Sequence, residues 1–115
     1  MNNLTTFSQL VEQFQIQDFV EKTIQQLNKD LNGLAESEIK LTTAKSENVL
    51  DDLIVVLSGK LDELSRISQL QQFIYIVDLK ENEWLSFISN QDLKSLAEQI
   101  IIREAQKVYL REMFN

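Results

Sequence analysis

Proline is absent from this 115-residue chain, and glycine occurs only at Gly33 and Gly59. Proline punctuates chains into turns and linkers, and glycine builds tight loops, including those that cradle phosphates. A chain almost without either is suited to long helices and poorly suited to loop-built sites. Histidine and cysteine are missing as well. Histidine is the usual general base near neutral pH and the commonest metal ligand. Cysteine is the strongest side-chain nucleophile and the usual structural zinc ligand. Together the absences point to binding rather than to catalysis.

Apolar spacing is helical almost throughout. Phe7, Leu10, Val11 and Phe14 lie at i, i+3, i+4 and i+7, which predicts a first helix over 5–14 with Thr5 or Thr6 as its cap. The stripe changes phase near Gln15–Gln17. A second register through Ile16, Phe19, Val20, Ile24, Leu27 and Leu31 predicts a helix over 17–32 with Asp18 in its first turn. Gly33 stops it, because glycine accepts the left-handed conformation that ends helices. Residues 34–45 read as an extended loop in which Ile39 and Leu41 alternate around Lys40.

A third helix follows Ser46 as N-cap, with Leu50, Leu53, Ile54, Leu57, Leu61 and Leu64 on one face. Gly59 lies inside this pattern and marks either a break or a close helix crossing. Ser68-Gln69-Leu70-Gln71 fits a capping box. The run Phe73–Val77 is rich in strand-forming residues. No partner strand exists for it, and Leu70, Phe73, Ile74 and Val77 fit a helix over 69–78. A turn or two at 81–88 follows, with Trp84, Leu85 and Ile88 on one face. Ser89 and Asn90 offer caps for a final helix over 91–113, striped by Leu93, Leu96, Ala97, Ile100, Ile101, Ala105 and Val108. The fold class is therefore all-α: a compact bundle of five to six helices, with residues 1–115 forming one helical domain.

Apolar residues make up 43% of the chain and charged residues 25%, near globular averages, which argues against wholesale disorder. The longest apolar runs are too short to span a bilayer, which takes about 20 residues. Met1 is followed by Asn2 and Asn3 with no apolar stretch, which reads as no secretory signal and a cytoplasmic location. The formal charge of −7 argues against direct nucleic-acid or anionic-membrane binding.

Carboxylates are the only abundant chemical groups, in pairs such as Asp51/Asp52 and Asp62/Glu63. Neighbours on a helix point about 100° apart, so these read as solvated faces. A calcium loop starting at Asp78 fails, with Lys80, Glu83 and Ser89 at positions 3, 6 and 12. No catalytic residue, cofactor or metal site is expected. Arg103, Lys107 and Arg111, spaced by four, share one face of the last helix and are placed to meet the acidic face of the third, in this chain or in a second copy. Trp84, Phe87 and Phe114 complete a candidate interaction surface, although a lone tryptophan is more often core.

The preferred expectation is a non-enzymatic protein-interaction or self-associating module, since six phenylalanines exceed what so small a core needs. The alternative is a small acidic, immunity-like inhibitor of a basic protein, which requires a contiguous acidic face on the third helix. A third possibility, a ligand-binding or carboxylate-based enzyme, requires a buried carboxylate or an Arg103-type residue at a concave pocket.

Overall fold

The described residues form six helices: α1 (Phe7–Gln13), α2 (Gln17–Leu31), α3 (Val49–Arg66), α4 (Leu70–Val77), α5 (Glu81–Ser89) and α6 (Leu93–Met113). The structure is a computed structural model that describes residues 7–32, 34 and 48–113. The expected caps Thr5, Thr6 and Ser46, the stop at Gly33, the stretch with Ile39 and Leu41, the residue Phe114 and the side chain of Phe7 lie outside the described residues. Among those described there is no strand, so Phe73–Val77 is helical.

α6 is the axis of the bundle. Every other helix packs against it. Ile100, Ile101 and Ile102 are consecutive and all buried. At about 100° per residue they point to three sides, as only an enclosed helix allows. A single apolar stripe on α6 is therefore too narrow a description. α3 lies along α6 with Leu53, Leu57, Leu61 and Leu64 fully buried. α2 lies on another side of α6, with Leu27 and Leu31 buried. Phe14 and Phe19 meet edge to face across the α1–α2 corner. The Cα radius of gyration is 13.4 Å, against about 13 Å for a folded chain of this length.

Three helix ends use a left-handed residue that is not glycine: Ser68, Asp78 and Gln91. After each, the following N–H reaches back five residues: Gln69 to Leu64 O, Leu79 to Ile74 O and Asp92 to Phe87 O. These bonds satisfy carbonyls that the helix end leaves open. A side chain at positive φ costs about 1 kcal/mol, so scarce glycine is replaced at a price.

Two capping expectations are corrected here. Ser68 sits at φ 61° and closes the turn after α3 instead of capping α4. The final helix is capped by Asp92, not by Ser89 or Asn90. Its carboxylate accepts from the Ser95 N–H at 3.1 Å and the Ser95 hydroxyl at 2.7 Å. The Ser95 side-chain bond, then its backbone bond, hold the Asp92 carboxyl below its ordinary 3.8. Gly59 neither breaks α3 nor admits a close neighbour. The helix runs through it, and nothing lies within 4 Å of where its Cβ would be.

Candidate functional site

Arg103, Lys107 and Arg111 of α6 pair with neighbouring helices. Arg103 Nη2 pairs with Asp78 Oδ2 at 3.0 Å, at the end of α4. Arg111 Nη1 donates to Gln26 Oε1 at 3.0 Å, and Gln26 Nε2 donates to Asp30 Oδ1 at 3.1 Å. Lys107 Nζ donates to Asp30 Oδ2 at 2.9 Å and to the Ile76 carbonyl at 3.3 Å. One turn further along, Lys22 of α2 binds Glu112. Within this chain the basic stripe thus meets α2 and the end of α4, not the acidic face of α3, which corrects the intrachain half of the expected pairing. The reason is angular. Arg103, Lys107 and Arg111 fall within an arc of about 80° on α6, and α2 and the end of α4 cover that arc.

Glu104 lies beside this arc and is fully buried. Lys107 Nζ is 2.8 Å from its Oε1, a charge contact outside hydrogen-bond geometry. Neither carboxylate oxygen of Glu104 has a hydrogen-bond partner while it is ionised. Burial first, then a hydrogen bond with Asp30, push the Glu104 carboxyl up to about 9, against the pull of Lys107. Burial and the neighbouring Asp30 carboxylate thus favour the protonated, uncharged acid. Sequence reasoning passed over this residue, although the signal was present: Ile100, Glu104 and Val108 are spaced by four, so Glu104 stands on a core line of α6.

The outward face of α3 is the opposite case. Asp51, Val55, Gly59, Asp62 and Arg66, with Asp52 and Glu63, fall within an arc of about 120°. Val55 is 71% exposed. Arg66 bonds Asp62 at 3.0 Å and Lys60 bonds Glu63 at 3.4 Å, both within the helix. Asp51 and Asp52 are exposed and make no ion pair among the described residues. In the first turn they face the positive end of the helix dipole.

Between α4, α5 and α6 lies a groove of about 440 Å³. Its charged lining is Asp78, Lys80, Glu83 and Arg103, beside the amides of Gln99 and Gln106. Two acids and two bases leave the groove without net charge, and Arg103 lines it as the ligand-binding expectation required. Among the described residues no group of three or more carboxylates could hold a metal ion.

Of the remaining expected surface residues, Trp84 is buried at 9% exposure and belongs to the core. Phe87 is half-buried and packs against that core. Phe14, Phe19 and Phe73 are core residues too, so these rings form no exposed patch. No described helix is long and apolar enough to cross a membrane. No protein-family model matches the chain, and neither a curated protein nor a solved structure matches it.

Proposed function

We propose that this chain is a non-enzymatic protein-binding module that receives a cationic partner on the outward face of α3. The observation behind this reading is the segregation of charge. Arg103, Lys107 and Arg111 of α6 are spent on α2 and the end of α4, whereas Asp51 and Asp52 on α3 make no ion pair among the described residues and stand beside the exposed Val55. Such a face suits a segment carrying one apolar side chain flanked by lysine or arginine. Charge steers the encounter and fixes the register, and the apolar contact contributes binding by leaving water. Two copies of the face repel each other, so it supports a foreign partner over self-association.

An NMR titration of the labelled chain with a short lysine- and leucine-containing peptide tests the reading. Amide shifts are expected at Asp51, Asp52, Val55, Asp62 and Glu63. They should vanish in D51K/D52K and weaken about tenfold in affinity when salt is raised from 50 to 500 mM, as screening demands. Equal perturbation at the acids of α2 and α5, or binding unchanged in D51K/D52K, would overturn it.

A further inference from the structure

The buried acid on α6 has no role in docking on α3, and its surroundings are unlike the rest of the core. We infer that the Asp30–Glu104–Lys107 cluster is a pH-sensitive latch between α2 and α6, closed while Glu104 carries a proton and opened at the cost of releasing it.

The cluster contains two buried carboxyl groups and one partly exposed ammonium. Glu104 is 0% exposed and Asp30 is 7% exposed. Were both acids ionised, Lys107 would balance only one of them. Moreover, Glu104 has no donor within hydrogen-bond geometry. Leaving a buried charge uncompensated is among the costliest arrangements a fold can hold. A single proton on Glu104 removes the excess charge and supplies the missing donor, directed at Asp30. The seam then holds one carboxylate, Asp30, which accepts from Lys107 and from Gln26.

The charged groups that face Glu104 are few. α2 brings Asp30. α6 brings Lys107, with Arg111 held away on Gln26. α4 brings only the Ile76 carbonyl, which is bound to Lys107, and its terminal Asp78 is taken by Arg103. The acids of α3 lie on that helix's outward face. The acids of α1 and α5, Glu12, Glu81 and Glu83, are exposed.

Opening the seam lets water reach Glu104 and returns its carboxyl to the ordinary value of 4.5, from about 9 when closed. Between those limits the closed form holds a proton that the open form has lost. Rising pH therefore favours opening, by about tenfold in the equilibrium per pH unit for one proton. The clamping is fully present below 4.5 and is lost as pH rises towards 9. α2 is the element released, since Asp30 and Gln26 are its contributions to the seam.

The test uses the full chain with labelled carboxyl carbons, titrated by NMR from pH 4 to 10, together with amide exchange corrected for its intrinsic pH dependence. Glu104 is expected to titrate last among the carboxyls, near pH 9. The α2 amides should open more readily than those of α3, by a margin that widens from pH 5 to 8. Glu104→Gln mimics the protonated acid: it is uncharged, and its amide can donate to Asp30. That variant should abolish the pH dependence of α2 opening. A Glu104 carboxyl titrating below pH 6 would overturn the latch. So would an E104Q chain that keeps the wild-type pH slope, or α2 and α3 opening together at every pH. Should E104Q fail to fold, the wild-type carboxyl titration decides alone.

Discussion

α6 is bound on one side by oil and on another by charge. Against α3 it meets Leu53, Leu57, Leu61 and Leu64, all fully buried. Against α2 it meets Asp30 and Gln26 through Glu104, Lys107 and Arg111. The apolar seam gains from leaving water and is indifferent to pH and register-tolerant. The polar seam gains little net energy, because desolvating its groups offsets most of what their bonds return. It does fix how α2 sits, since Gln26 and Asp30 of α2 pair with Arg111 and Lys107 of α6. The same helix therefore combines a permanent joint with a conditional one.

The largest effect expected is on the apolar side. Leu61→Ala removes a fully buried side chain and should cost about 3 kcal/mol by denaturant unfolding, equally at pH 5 and pH 8. A pH-dependent loss there would break the contrast between the seams. Lys107→Met should cost less, about 2 kcal/mol, because the ammonium is partly exposed and its stem stays packed. It takes away the one cation that touches both Asp30 and Glu104, so the Glu104 carboxyl should titrate higher still. A lower value would mean that Lys107 is not the counter-charge.

The smallest effect tests a site outside both seams. Gly59→Ala should add about 0.8 kcal/mol, because alanine is the better helix former and its Cβ meets nothing within 4 Å. Its midpoint should rise without any change in pH slope. A loss of stability on this substitution would show that the outward face of α3 is not open.

Much of the fold was legible in the residues. The phase change at Gln15–Gln17 placed the α1–α2 break, and the spacing of Leu50 to Leu64 placed α3 across its glycine. Helix ends were less legible. Ser68 and Asp92 are both competent caps in sequence, and only the path of the chain decides that Ser68 turns left-handed while Asp92 caps. The seam was the least legible. Asp30 and Glu104 look like any surface acids until α2 is laid on α6. The four-residue line through Ile100, Glu104 and Val108 was the sole hint, and it does not say what Glu104 will meet.

The sequence by itself determined the helices, because apolar periodicity and backbone preference act within a few residues and need no distant partner. It also removed histidine- and cysteine-based chemistry from the chain by composition. Tertiary structure decided which side of α6 faces which helix, and with that the direction of Arg103, Lys107 and Arg111 and the protonation of Glu104. Those are properties of desolvation and pairing, and both require groups about 75 residues apart in the chain, such as Asp30 and Glu104, to be brought together away from water.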